Sequence, residues 1–332
     1  RQVLSTLPAF CKDYFRAIDS TTTTKTRISY AYDIRIFFQF LLDENPAFKN
    51  YAMTDFTVDI LDQITALDLE EYEEYLKVYQ AGDKTETNGE RGLKRKISAL
   101  RSFYAYYYKR EMIHTNPTVL IDVPKIHDKS IIRLDTDEVA LLLDYIEHCG
   151  DSLTGQKRVY YEKTKERDLA IVTLLLGTGI RVSECVGLDI EDVDFKNNGI
   201  KVTRKGGNEM VVYFGEEVEK ALKRYLEVRA GITPLAGHEH ALFYSAQRKR
   251  MGVQAVENMV KKYSRQITTT KKITPHKLRS TYGTALYQET GDIYLVADVL
   301  GHKDVNTTKK HYAALDDARR RQAATAVRLR ED

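Results

Sequence analysis

His276, Arg279, His302 and Tyr312 fall within one stretch, Thr274 to Leu315, and burial alone gives no reason for such a set of polar groups. Thr274-Pro275 reads as a hydroxyl N-cap followed by proline at the first helical position, where a missing N–H costs nothing. His276 and Arg279, three residues apart, then share a helix face near its positive end, which suits an anion. The apolar run Ile293, Leu295, Val296, Val299, Leu300 predicts a second helix that stops at Gly301 and leaves His302 on the connection. Asn306-Thr307-Thr308 reads as a further cap, with Tyr312 about one turn into a third helix.

Taken singly, each residue has a commoner structural use: a lone helical histidine is usually satisfied or exposed, and 22 tyrosines make packing the default for any one of them. The conjunction changes the balance, and it draws on partners elsewhere. Arg181 follows a buried helix and the turn Gly177-Thr178-Gly179, so its guanidinium is held rigidly, as bidentate contact with phosphate oxygens requires. Glu184, one turn later, is placed to orient it. Two arginines and two histidines around one phosphate would stabilise the charge that grows in an in-line displacement. Lys205, at a hairpin tip, has the reach to protonate a leaving oxygen. Tyr312 offers a phenol of ordinary pKa about 10, a poor nucleophile unless nearby cations favour its phenolate.

The elements that must position these groups fall into two domains, the better prior for 332 residues. Apolar spacing predicts helices over Leu4 to Ile18, Thr26 to Asp43, Asp68 to Gln80 and Leu93 to Glu111, with a polar loop from Ala81 to Gly92. The last of these helices alternates Ile97, Leu100, Tyr104 and Tyr107 with cations, so one face can bury while the other, with Lys94, Arg95 and Arg101, is positive; an ordinary solvated face and phosphate contact are both open there, and the second is favoured only if the other half of the protein handles DNA. Residues 124–130 lack periodicity and read as a linker closing a helical domain, 1–123. The second domain, 131–332, opens with a helix inside Leu134 to His148 capped by Thr136. It continues through a buried helix over Arg167 to Leu176, a short helix on Arg181, and a hairpin pairing Ile200–Val202 with Met210–Tyr213. Helices over Glu217 to Arg229 and Val253 to Gln266, with the run Ala241 to Tyr244 between them, lead back to Thr274. The expected class is mainly α with a small β-hairpin or sheet (α+β).

Composition sets limits. Lys+Arg number 51 against 48 Asp+Glu, so a basic surface must come from segregation of charge rather than excess. No apolar run is long enough to cross a membrane, and a soluble, intracellular protein is expected, which the resemblance of its motifs to a known family narrows to a cytoplasmic, nucleoid-associated protein of bacterial type. Cys11, Cys149 and Cys185 are far apart and form no zinc-binding spacing; they read as buried thiols, and no metal or cofactor is expected. Residue 1 is Arg, so the natural start is expected to lie upstream.

In order, TGIRVSE around Arg181, the Lys205 hairpin, HKLR, LGH and a terminal Tyr resemble the tyrosine recombinase (phage integrase) family, and the resemblance covers nearly the whole chain. It implies a helical core-binding domain before a catalytic domain. It also implies that Tyr312 attacks a DNA phosphodiester, leaving a 3′-phosphotyrosine and a free 5′-hydroxyl, without metal or high-energy cofactor. Arg181 and Arg279 would then bind the non-bridging oxygens with help from His302, Lys205 would act as general acid, and His276 would assist proton transfer at the tyrosine oxygen. The implied partners are double-stranded recombination sites, accessory directionality factors, and three further copies in a homotetramer whose tail, 316–332, docks in trans. Two departures stand out. Ser280 follows HKLR where the family often has His, and Tyr312 lies one residue farther from the LGH histidine than in Xer-like members, whose corresponding position here is His311. The rival readings are a relaxing topoisomerase with the same chemistry and a catalytically idle DNA-binding protein of the same fold. Within the recombinase reading, an integrase or transposase of a mobile element is preferred to a chromosome-resolving enzyme.

Overall fold

The computed structural model describes residues 2–123, 131–204, 206–302 and 304–312, and side chains at all of these except 307, 310, 311 and 312. The linker at 124–130, Lys205 and the tail at 316–332 therefore lie outside the described residues. The chain divides into two compact units, Arg1–Asp128 and Lys129–Asp332.

In the first unit the expected opening helix is split. Pro8, which lacks the N–H a helix interior needs, separates a 3-10 turn at Val3–Thr6 from α1 at Cys11–Ala17. Helix α2, Thr24–Asp43, starts where the Thr23 hydroxyl accepts the Thr26 N–H at 3.2 Å. Helix α3, Ala66–Lys77, starts at a reciprocal cap: Asp68 N–H donates to Thr65 Oγ1, and Thr65 N–H to the Asp68 carboxylate at 2.8 Å. The predicted loop after it is instead a hairpin, β1 (Val78–Ala81) paired with β2 (Lys84–Thr87). Gly82, at φ +63°, takes the first place of the two-residue connection, where a side chain would be strained. Helix α4 runs Glu90–Tyr108, three residues earlier than predicted at each end.

An aromatic core joins these helices. The Tyr14 and Phe103 rings meet edge to face at 5.2 Å, as do Phe103 and Tyr107 at 5.1 Å. Each buried phenol keeps a partner: Tyr14 donates to Ser102 Oγ at 2.9 Å and Tyr107 to the Phe10 carbonyl at 2.8 Å.

The second unit, also mainly helical, holds the candidate site. Helix α5, Thr136–His148, is capped by Asp135 rather than Thr136, with the Asp135 N–H donating to Glu138 at 2.8 Å. Helix α6 spans Gly155–Thr178, well beyond the apolar segment that announced it, because its first residues, Gly155 to Tyr160, are exposed and charged residues continue to Arg167. Its buried half, with Leu174 and Leu175 shut from solvent, packs against two later helices, Glu216–Ala230 and Pro275–Thr290. Helix α7 is Val182–Gly187. The hairpin gains a third strand: β3 (Val193–Asp194), β4 (Gly199–Thr203) and β5 (Glu209–Tyr213) form one antiparallel sheet in that order. Ile200 faces Val212 in register and both are buried, whereas Lys201 and Val211 between them are exposed. Helices α8 (Glu216–Ala230), α9 (Val253–Ile267), α10 (Pro275–Thr290), α11 (Ile293–Leu300) and α12 (Val305–Tyr312) complete the chain described. Ala241 to Tyr244, all buried, run between α8 and α9 with isolated bridges from Ala241 to Asp189 and from Tyr244 to Arg250. The α+β class expected from the sequence is therefore observed. All three cysteines are buried thiols.

Asp33 on α2 is nearly closed from solvent, and burial pushes its carboxyl up to about 6 although Arg95 and Lys96 of α4 pull the other way. Its Oδ2 pairs with Arg95, while Oδ1 is buried without a hydrogen-bond partner. A carboxyl raised in the folded state holds its proton more tightly there than when unfolded. Its contribution to stability is therefore intact below an unfolded pKa of about 3.9 and is lost as pH rises through about 6. Asp33→Asn should remove this loss: the Tm difference, variant minus parent, should grow in the variant's favour from pH 4 to 6 and level off above 7. A pH-independent difference would show that the carboxyl does not titrate in that window.

Candidate active site

Helix α6 ends at Gly179, in the left-handed region at φ +63°. A Cβ there would fall 2.3 Å from the Tyr282 ring and 2.9 Å from Leu300, so glycine alone lets the chain turn so close to α10 and α11. Two residues on, Arg181 precedes the first turn of α7. Glu184 accepts the Arg181 N–H at 2.8 Å through Oε2 and the Arg181 guanidinium at 2.7 Å through Oε1. The Glu184 side chain is only 4% exposed, so one buried carboxylate both caps the helix and aims the arginine.

The last carbonyls of α11 gather three guanidinium groups. Val299 O accepts Arg204 Nη2 at 2.7 Å, Leu300 O accepts Arg279 Nη2, and Gly301 O accepts Arg181 Nη2 at 3.3 Å. Arg279, buried on the second turn of α10, also donates through Nη1 to Gly179 O at 2.5 Å. Carbonyls at a helix C-terminus have no partner in their own helix and carry its negative end, so this is where cations are stabilised. Gly301, at φ +62°, lets the chain leave α11 with those carbonyls presented. Burial pushes the Arg204 guanidinium below its ordinary value; Glu184 raises it and Arg181 lowers it further.

His302 follows. Its N–H donates to Ala297 O at 2.9 Å, and its Nδ1 lies 2.7 Å from the hydroxyl of Thr308, which is fully buried on α12. If Thr308 donates, the imidazole proton sits on Nε2 and that nitrogen is a donor for an oxyanion. Helix α12 begins at Val305 behind Asp304, whose carboxylate accepts the Asn306 N–H at 2.9 Å; the predicted cap at Asn306 lies inside the helix. Tyr312 is the final residue of α12, two turns in rather than one, and its side chain lies outside the described residues, as does all of Lys205. Thr274 is the N-cap of α10 with Pro275 next, but its hydroxyl makes no capping bond. His276 is exposed on the first turn, and Ser280, the residue after HKLR, donates to the His276 carbonyl at 3.1 Å.

The structure thus brings Arg181, Glu184, Arg279 and His302 around one helix end. It adds two residues the sequence reading missed, Arg204 and Thr308. The signal for Arg204 was a second cation beside Lys205 at the hairpin end; Thr308 was visible only as a supposed cap. In the first unit, Lys94 is exposed and Arg95 pairs with Asp33, whereas Arg101 is engaged by the backbone, donating to Thr118 O at 3.1 Å and to Ile121 O. Among the described residues no three His, Cys, Asp or Glu side chains are grouped to hold a metal ion, and no helix is long and apolar enough to cross a membrane.

The phage integrase family model matches residues 133–319. Tyrosine recombinase XerC of Caldanaerobacter subterraneus subsp. tengcongensis is 31% identical over 96% of this chain and 86% of its own length. Tyrosine recombinase XerS of Streptococcus uberis is 30% identical over 94% of this chain and 93% of its own. Two solved structures share the fold. The XerH site-specific recombinase bound to a palindromic difH substrate has a TM-score of 0.67 at 21% identity, over 90% of this chain and 79% of that one. The Tn1549 transposon integrase in complex with transposon right end DNA has a TM-score of 0.65 at 23% identity, over 96% and 99%.

Because the Thr308 hydroxyl is buried against His302, replacing it with the isosteric valine strands a ring nitrogen. Thr308→Val should lower unfolding stability by about 1–3 kcal/mol in urea titrations, and Thr308→Ser should recover most of it. Equal stability of all three proteins would mean that the bond does not hold α12 to the His302 turn.

Proposed function

The chain belongs to the phage integrase family and is a site-specific tyrosine recombinase; on that premise we propose that Tyr312 is its nucleophile and that the guanidinium cluster at the end of α11 receives the scissile phosphate. The observation that carries this reading is the convergence of Arg181 and Arg279 on adjacent carbonyls, Gly301 and Leu300, immediately before His302. Three cations and one nearby buried carboxylate leave the site positive, and a phosphodiester supplies the missing charge.

The Tyr312 phenolate attacks phosphorus in line, the bond to the 5′-oxygen breaks, and the protein is left on the 3′-phosphate. Arg181 and Arg279 hold the non-bridging oxygens, with His302 as a further donor whose ring is set by Thr308. Lys205 gives a proton to the departing 5′-oxygen, and His276 receives one from the phenol. A 5′-hydroxyl from a second strand then reverses the reaction, conserving the bond energy. Thr308, one helical turn before Tyr312, joins the nucleophile's helix to the His302 turn, which supports this assignment despite the one-residue displacement relative to His311.

Similarity to Xer recombinases along nearly the whole chain favours strand exchange over relaxation by a topoisomerase, and the full set of reactive residues argues against an idle relative. The proposed substrate is double-stranded DNA, with residues 1–123 as a second DNA-binding unit that contributes Lys94 and Arg95. Arg101 belongs instead to the packing of that unit. A role in a mobile element is the narrower reading, which fits the shared fold with a transposon integrase.

Replacing Tyr312 by phenylalanine should abolish covalent protein–DNA adducts on a nicked site while leaving site binding almost unchanged, because one phenol oxygen is all that is lost. Adducts that persist, or that map to His311, would remove Tyr312 from the mechanism. For the tail we propose docking on a neighbouring subunit in a closed ring of four, with heterologous interfaces. Deleting residues 317–332 should then spare binding to one site but reduce synapsis and strand exchange. Tetramers of normal size and full exchange by the truncated protein would show that the tail acts within its own subunit.

A further inference from the structure

Along the first half of α4, Arg91, Lys94, Arg95 and Ser98 are all exposed. Their spacing, i, i+3, i+4, i+7, puts them in one stripe on the helix surface, while Lys96, Ile97, Ala99 and Leu100 turn inward and are buried. The three cations of this stripe are not alike. Among the described residues only Arg95 is paired with a carboxylate: its Nη1 donates to Oδ2 of Asp33 on α2. The Asp33 side chain is 1% exposed and that of Arg95 46%, so the acid is sealed in the unit while the guanidinium stands out from it. Lys96, the other cation acting on this carboxyl, gives its Nζ to Asn88 Oδ1 at 2.8 Å. Arg95 is thus left as the hydrogen-bond partner of a carboxylate whose Oδ1 is buried with none.

A purely structural role explains this pair badly. Above pH of about 6 the charged carboxyl detracts from stability, and an apolar pair of similar volume would fill the space without that loss. Departures of this kind from good packing collect at functional positions. What the carboxylate does is fix the arginine. With Nη1 tied to Asp33, Nε and Nη2 remain as one planar edge of the guanidinium carrying two parallel N–H donors. That edge matches the O6 and N7 acceptors that guanine presents in the major groove. Charge points the same way. Asp33 offsets the positive charge of Arg95, which weakens its pull on a phosphate but leaves its fit to a neutral base edge intact. Lys94 is the opposite case, an exposed point charge on a flexible stem.

We propose that Arg95 determines sequence specificity: Asp33 holds it so that its free edge recognises a guanine in the DNA site, while Lys94 contacts the phosphate backbone. The proposal rests on the reading of residues 1–123 as a DNA-binding unit, and its test separates the two. A base contact and a phosphate contact differ in what their loss does. Losing the first relaxes one position of the site, whereas losing the second weakens all sequences alike and flattens the dependence on salt.

The experiment uses the full chain to select bound duplexes from a random-sequence library. Binding is then measured on the selected site, on its single-base variants and on unselected duplex across a salt series. The parent should require G·C at one position, where any other pair weakens binding by about 5- to 150-fold. The double variant Asp33→Asn/Arg95→Met removes both charges together, so no buried ion is stranded. It should lose that one preference, keep the others, and bind unselected duplex with the parent's salt slope. Asp33→Asn alone frees the arginine. The preference at the same position should then fall to within about 3-fold, with no weakening on unselected duplex, and this variant carries the test if the double one melts below the assay temperature. Lys94→Ala should weaken every duplex alike and lower the salt slope by about 0.9. Three results overturn the proposal alone when Lys94→Ala behaves in this way: a parent without a G·C requirement, variants that keep every base preference, or a double variant that weakens all sequences equally and flattens the slope. If Lys94→Ala and the double variant both bind every duplex as the parent does, the DNA-binding reading of the first unit is what falls.

Discussion

Three arginines share the C-terminal carbonyls of one eight-residue helix, α11, and the rest of the catalytic unit is arranged so that they can. Like charges at such close quarters repel, so each must be held by something stronger than its aversion to the others. Arg279 is gripped at both ends of its guanidinium, by Gly179 O and Leu300 O, and is buried. Arg181 has Glu184, and Arg204 has Val299 O. The helix end contributes partial negative charge to all three at once. Such a cluster is preorganised: the cost of assembling it is met by folding, before any anion arrives.

Two glycines make the arrangement sterically feasible. Gly179 brings the end of α6 against Tyr282 and Leu300, and Gly301, at φ +62°, lets the chain turn out of α11 towards His302. A side chain at Gly179 would meet the Tyr282 ring and Leu300, and at either position the left-handed backbone would strain it. The long buried half of α6 fixes the first of these turns and the packing of α11 on α10 and α12 fixes the second, so the core of the unit and its chemistry are one construction problem.

The sequence showed the parts of this site whose logic is local. Arg181 and Glu184 are three apart on a capped helix, His276 and Arg279 three apart behind a Thr-Pro start, and the apolar stripe of α11 ends at a glycine: all are read along the chain. Arg204 and Thr308 were missed because their partners are 95 and 6 residues away and lie across a turn whose shape periodicity does not encode. Boundaries failed for equally physical reasons. Pro8 cut a helix that apolar spacing had run straight through, and a Gly-Asp pair closed β1 on β2 where only polar loop was seen. Asp135 and Asp304 took cap positions assigned to Thr136 and Asn306, each one or two residues earlier. Arg101 looked like a groove contact by its spacing along α4, but the same reach lets it tie down Thr118 and Ile121 within its own unit.

Cys185 lies on α7 directly after Glu184, near a helix start and an arginine, the surroundings that usually convert a thiol to a reactive thiolate. Complete burial reverses that tendency and pushes its pKa up to about 12. Cys11 and Cys149 are likewise buried, with burial raising both. The chain thus combines a strongly electropositive centre with three thiols whose burial disfavours the reactive thiolate, most completely at Cys185 and least at Cys149, which keeps 8% of its surface exposed.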